Sequence, residues 1–240
     1  MDKAVDKIPE LIYDLLSIFV QGLYLKIAIY VFAQSLTLDQ IIPFDLFFDS
    51  SVIAFILIYF FGQIVYSFSN MLMPPAFSFL FGSPLRLLLL SPSSQKPRHK
   101  RMNKFFLMGI PGQNEILQKS VEDRLKKLTR NANFSISEDI NLTFEICRNY
   151  VMEKTIRRSV YITKEQAFGE MSRGVVFVSL IFMIALAIKT VLASVPYFWT
   201  KEILAFIIVV CFSYRYLQSR YILPYFIYAL VTTLSEENDK

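Results

Sequence analysis

The fold is decided by SSVIAFILIYFFGQIVYSFSNMLMPPAFSFLFGSPL, residues Ser50 to Leu85, which contains no Asp, Glu, Lys, Arg or His. The hydrocarbon core of a bilayer is about 30 Å thick, and a helix of roughly 20 apolar residues crosses it. The part up to Met73 fits one crossing. Pro74-Pro75 follows, and because neither proline has a backbone N–H, we expect the pair to end this helix. The rest of the stretch is apolar but broken by a glycine and a proline, which predicts a segment in the inner headgroup region or against the bundle.

Three further apolar stretches indicate three more membrane crossings. The chain is 54% hydrophobic, well beyond what a single span would contribute. The first span is predicted roughly from Leu11 to Ala33, the third from Gly174 to Ala193, and the fourth from Glu202 to about Arg220. We expect Pro224 to kink or end the fourth helix, since proline removes a helical hydrogen bond. The sequence therefore predicts an all-α, four-transmembrane-helix bundle.

Charge is distributed unevenly and predicts the orientation. Residues 84–170 carry 16 Lys and Arg against 9 Asp and Glu. The connection between the first two spans instead contains Asp39, Asp45 and Asp49 and no Lys or Arg. Because cytoplasmic loops are enriched in Lys and Arg, we expect the basic part and both termini in the cytoplasm. The predicted domains are a membrane hairpin with an interfacial segment (1–90), a basic cytoplasmic helical module (91–170), and a second membrane hairpin with its tail (171–240).

The module between the second and third spans is predicted to be a small pair of amphipathic helices. Asn114 suits the N-cap of a helix that reaches about Arg130, and a second helix follows. Their apolar faces are spaced at helical intervals: Leu117, Val121, Leu125 and Leu128 on the first, and Ile140, Phe144, Cys147 and Val151 on the second. From about Ile162 we expect one unbroken helix from the module into the third span.

The residues that usually carry catalysis are scarce. The only histidine is His99, so no histidine-based triad or HExxH zinc pair can form. Gly109 and Gly112 are not followed by the Lys of a phosphate-binding loop. Cys147 falls in the module and Cys211 in a span, which argues against a disulfide. We therefore expect a protein without enzymatic activity, metal or cofactor.

Polar residues within the spans are candidate site residues, because lipid cannot satisfy their hydrogen bonds. One face of the second span carries five: Tyr59, Gln63, Tyr66, Ser67 and Asn70. These residues indicate either hydrogen bonding between helices or a water-filled path. Ser17 and Gln21 on the first span are too few to satisfy them all, which favours contact with sibling subunits in a homo-oligomer.

Two smaller features of the spans have alternative interpretations. Lys26 is a charge inside the first span, which either extends along its stem toward the headgroups or marks a functional position. The inner part of the fourth helix carries a second polar stripe, which is typical of an aromatic belt at the interface: Tyr214, Gln218, Tyr221, Tyr225 and Tyr228.

A basic linker follows the second span and consists of Lys96, Arg98, Lys100, Arg101 and Lys104. Beside a membrane, such a cluster favours contact with anionic lipid headgroups. An acidic soluble protein partner or nucleic acid would also fit its charge.

Four segments together resemble a family of prokaryotic four-span membrane proteins with a cytosolic insertion: GQIVYSFSNML, LFGSPLRLLLL, EQAFGEMSRGVVFVSLIFM and FSYRYLQSRYILPYFIYAL. Proteins of this kind are similar to membrane components of bacterial antiphage defence systems. The resemblance implies a location in the bacterial inner membrane. It also implies an oligomeric effector or channel-like component that receives a signal through its basic module. The alternative is a scaffold that conducts nothing and recruits a soluble partner.

The orientation leads to a direct prediction. A cysteine introduced at Asp45 should react with a membrane-impermeant thiol reagent added outside, whereas a cysteine at Ser94 should not. Both variants are made in a background without Cys147 and Cys211. Labelling in the opposite pattern would reverse the orientation.

Overall fold

The computed structural model describes residues 8–36, 52–82, 114–129, 140–154, 156–193 and 199–238. These ranges contain helices and no strand, which confirms the all-α fold. In chain order the helices are α1 (Ile8–Leu36), α2 (Val52–Phe81), α3 (Asn114–Thr129), α4 (Ile140–Lys154), α5 (Ile156–Ala193) and α6 (Trp199–Asn238). Four of them contain segments long and apolar enough to cross a membrane: Leu11–Val31, Val52–Phe81, Val160–Val191 and Trp199–Leu234.

The helix of the second span does not end at Pro74-Pro75, so this prediction was wrong. Helix α2 continues to Phe81, and Gly82 ends it with a φ of 87° while its N–H donates to the Ser78 carbonyl oxygen at 2.9 Å. Proline lacks a hydrogen-bond donor, but its fixed φ is itself close to the helical value, so the chain can continue as helix. Gly82 ends the helix because only glycine adopts a positive φ without steric cost.

The fourth helix also continues further than expected. Helix α6 passes through Pro224 and reaches Asn238, well beyond the predicted limit near Arg220. Helix α5 is unbroken from Ile156 to Ala193, which confirms the expected continuous helix into the third span.

The chain divides into two compact units, and the domain boundaries expected at residues 90 and 170 stay a prediction. The membrane unit comprises the described parts of Lys7–Pro74 and Ala167–Tyr216. The insertion unit comprises the described parts of Pro75–Gln166 and Leu217–Lys240. The end of α6 therefore belongs with the inserted module rather than with the C-terminal membrane hairpin.

The core of the insertion unit combines the module with the end of α6. On α3 and α4, Val121, Leu125, Cys147 and Val151 are all fully buried, which confirms the predicted faces at these positions. Helices α5 and α6 complete the cluster with Ile162, Ile227, Tyr228, Leu230, Val231 and Leu234. The residues of α6 after Leu217 thus pack against the module, which the sequence pattern did not predict.

The tyrosine stripe on α6 accordingly includes core residues. Tyr221 and Tyr228 are 2% and 0% exposed, so they do not form the interface belt that the pattern suggested. The Tyr228 ring meets Phe144 of α4 edge-on at 6.2 Å between centroids. Tyrosine has a large apolar ring, and burial of that ring stabilises this core.

The membrane unit is held by close helix packing. Helices α1 and α2 cross at Gly22 and Gly62, where the two backbones come close enough that neither position has room for a Cβ atom. A side chain at Gly22 would overlap the Ile58 carbonyl oxygen, and one at Gly62 would overlap that of Ile18. Small residues at such crossings permit close packing of membrane helices.

This crossing predicts that Gly62→Ala destabilises the membrane unit. The added methyl group collides with backbone rather than with a movable side chain, so we expect a loss of about 1–3 kcal/mol in the free energy of unfolding. Titration with denaturing detergent in mixed micelles measures this loss. The control is Ala187→Val, which adds bulk at an exposed position of α5. Equal stability of both variants would contradict the close crossing.

Candidate functional site

The first half of the polar face of α2 forms hydrogen bonds within its own helix. Gln63 Nε2 donates to Tyr59 Oη at 2.9 Å, and Ser67 Oγ donates to the Gln63 carbonyl oxygen at 2.8 Å. No described residue donates to the side-chain Oε1 of Gln63. Gln63 is half-buried and Ser67 is exposed. An amide oxygen is thus left at the edge of an apolar span, where lipid offers no donor.

The second half of this face contacts a residue that the sequence patterns did not single out. Arg173 of α5 donates from Nη1 to Asn70 Oδ1 at 2.9 Å. Its guanidinium carbon also lies 5.2 Å from the centroid of the Tyr66 ring, within the range of a cation–π interaction. The polar face of α2 therefore has two parts. Tyr59, Gln63 and Ser67 bond within their own helix, whereas Tyr66 and Asn70 contact Arg173 of α5.

Arg173 is almost completely buried, with 6% of its surface exposed. No ion pair joins it to an acidic group in the part of the chain that the structure describes. Its Nε and Nη2 atoms are buried and have no hydrogen-bond partner among the described residues. A buried, unpaired charge is energetically costly, and such residues in membrane spans are functional candidates. The position of Arg173 directly before the apolar run from Gly174 is the sequence signal that would have identified it.

Gln21 of α1 lies beside the same turn of α5. Its Nε2 donates to the Glu170 carbonyl oxygen at 3.1 Å, and its side chain occupies the space where Gly174 would carry a Cβ atom. Gln21 is fully buried, and its Oε1 has no donor among the described residues. Ser17 instead bonds to the Asp14 carbonyl oxygen at 2.9 Å. Gln21 therefore contributes to this region, and neither Gln21 nor Ser17 bonds to the polar face of α2 among the described residues.

The remaining predicted site residues are not part of this cluster. Lys26 is half-buried on α1, and its role stays a prediction. The basic linker lies outside the described residues: Lys96, Arg98, Lys100, Arg101 and Lys104.

Cys147 is the one thiol in the core of the insertion unit, and its surroundings make it a poor nucleophile. Burial raises the pKa of the Cys147 thiol to about 12, so the reactive thiolate is scarce at neutral pH. Both cysteines are free. The described residues contain no group of three His, Cys, Asp or Glu side chains that could hold a metal ion.

The Arg173 region can form hydrogen bonds and stabilise a negative charge.

No family model, curated protein or solved structure matches the chain. The fold itself defines the class of protein. Four helices meet the length and composition of membrane spans, and their outer faces expose large apolar side chains such as Phe55, Phe206 and Val191. The chain is an all-helical, multi-pass membrane protein.

Proposed function

We propose that the protein is an oligomeric membrane effector or channel-like component, without enzymatic activity, that receives a signal through its basic insertion. The observation that carries this proposal is the polar edge of α2 formed by Tyr59, Gln63 and Ser67. Within one chain, the side-chain amide of Gln63 bonds through Nε2 to Tyr59 Oη, and its Oε1 has no donor among the described residues. A second copy of α2 or water along an axial path would supply that donor, whereas lipid would not.

The long helices support the transmission of a signal. Helices α5 and α6 contain 38 and 40 residues, which correspond to about 57 and 60 Å at 1.5 Å per residue. This is roughly twice the thickness of the hydrocarbon core. Residues of both helices contribute to the insertion unit and to the membrane unit. A ligand or partner that shifts the insertion unit would therefore act on the same helices that form the spans.

The cellular setting of this proposal comes from the sequence. The basic linker and the positive-inside rule favour an orientation with both termini in the cytoplasm, and the resemblance to prokaryotic four-span proteins favours the bacterial inner membrane. The resemblance to membrane components of antiphage systems favours a role in defence. Candidate partners are anionic lipid headgroups, a soluble cytoplasmic protein and further copies of the chain, with nucleic acid as a less favoured candidate.

The second candidate function is a scaffold that conducts nothing and recruits a soluble effector. The hydrogen bond between Asn70 and Arg173 favours it, because this part of the polar face finds a partner within one chain. A scaffold needs no path through the membrane.

The variant Gln63→Leu separates the two proposals. It removes the amide that lipid cannot satisfy, so a subunit contact made by this amide is lost while insertion becomes easier. Since such interhelical bonds contribute about 0.6–2 kcal/mol, we expect the dissociation constant of the oligomer to rise about 3- to 30-fold. Native mass spectrometry and light scattering in mild detergent measure the subunit number over a dilution series.

The matched control is Ile64→Leu, which exchanges one apolar side chain for another on the neighbouring exposed position. It should assemble like the wild type. If Gln63→Leu also assembles like the wild type, the polar edge is merely tolerated in lipid and the scaffold proposal is favoured.

A further inference from the structure

The buried guanidinium of Arg173 has one edge whose N–H groups have no partner among the described residues. Nη1 is engaged by Asn70, and the Tyr66 ring covers a face of the group. The donors without a described partner are Nε and Nη2. These two N–H groups lie on the same side of the planar guanidinium and point in parallel, which is the fork that binds carboxylate and phosphate oxygens in a bidentate manner.

The depth of Arg173 along the helix favours phosphate as the anion. Arg173 and the end of the third candidate span at Val191 are 18 residues apart, or about 27 Å along a helix. Asn70 lies equally far from the start of the second span at Val52. The candidate spans of the structure are longer than the bilayer core and continue past both residues, to Phe81 and from Val160. The crossings predicted from the sequence end at Met73 and begin at Gly174, which places Asn70 and Arg173 near the boundary between hydrocarbon and headgroups. Lipid phosphates are located just beyond this boundary.

A second unpaired polar atom lies beside the same turn of α5. Gln21 Oε1 is fully buried without a donor, and the Gln21 side chain packs against Gly174, the neighbour of Arg173. Gln21 thus adds an unpaired acceptor beside the turn of α5 that carries Arg173. An oxyanion bound to the Nε–Nη2 edge would satisfy the two donors of Arg173.

We propose that Arg173 forms an anion site in which the Nε–Nη2 edge binds a phosphate group, supplied by an anionic lipid or by a soluble phosphate. The bound phosphate balances the buried positive charge, which no acidic side chain of the described ranges pairs with. The site serves an effector and a scaffold equally well, so it stands apart from the proposed function. In this form of the chain the fork is shielded from solvent, and binding therefore requires a local movement of the side chains over it.

The experiment uses the full-length protein, purified and stripped of lipid in a neutral detergent. Its thermal unfolding is followed with added phosphatidylglycerol, zwitterionic phosphatidylcholine or inorganic phosphate. Arg173→Lys keeps the positive charge but loses the fork. The control Arg215→Lys makes the same change at another arginine of the membrane unit, which stacks on Phe168. Nonspecific binding of anionic lipid to the basic linker is the same in all variants and cancels in the comparison.

We expect phosphatidylglycerol to raise the unfolding temperature of the wild type and of Arg215→Lys, and Arg173→Lys to bind about tenfold more weakly. A response to inorganic phosphate but not to the lipid would support the same site with a soluble source. Equal responses in the wild type and Arg173→Lys would overturn the proposal, as would a wild type that responds to neither phosphatidylglycerol nor inorganic phosphate.

If Arg173→Lys does not fold, Asn70→Asp tests the same anion site. Asn70→Asp places a carboxylate where the amide oxygen now accepts from Nη1. This carboxylate neutralises Arg173, so the phosphate probe should raise the unfolding temperature of the variant less than that of the wild type. An undiminished response of Asn70→Asp would contradict a site that exists to balance this charge.

Discussion

The hydrogen bond from Arg173 to Asn70 shows the constraint on which the membrane unit depends. Lipid offers no hydrogen-bond partners, so every polar group of a span must find one in protein, in water or in a bound molecule. Arg173 and Asn70 are 103 residues apart in the chain, and their contact fastens α5 to α2. The Tyr66 ring adds a second contact to the same guanidinium. One buried cation thus links the second and third spans, while Gly22 and Gly62 bring the first and second together.

The insertion unit follows a different principle, because its core is an apolar cluster built from four helices. The module supplies α3 and α4, and the long helices α5 and α6 supply the other walls. Within this unit Ser219 Oγ of α6 donates to the Glu165 carbonyl oxygen of α5 at 2.7 Å. The inserted segment is therefore more than a loop between spans. It forms a helical core to which residues of α5 and α6 contribute.

Much of the fold could be predicted from the sequence. The spans follow from uncharged length, and the buried faces of α3 and α4 follow from helical periodicity at Val121, Leu125, Cys147 and Val151. The limits of α2 and α6 could not be predicted, since a proline weakens a helix without having to end it. Helical periodicity shows which residues share a face but not which element packs against that face. Tyr221 and Tyr228 therefore resembled an interface belt, although both are buried. Arg173 was missed because its importance arises from partners distant in the chain.

The most direct test of this account is a double-mutant cycle between Asn70 and Arg173. The free energy of unfolding in mixed micelles would be measured for Asn70→Ala, Arg173→Met, their combination and the wild type. A charge-assisted hydrogen bond between spans predicts a coupling energy of about 1–2 kcal/mol, so the double variant should lose less stability than the sum of the single losses. Additive losses would show that the two side chains do not interact and that α2 and α5 are held together by other contacts.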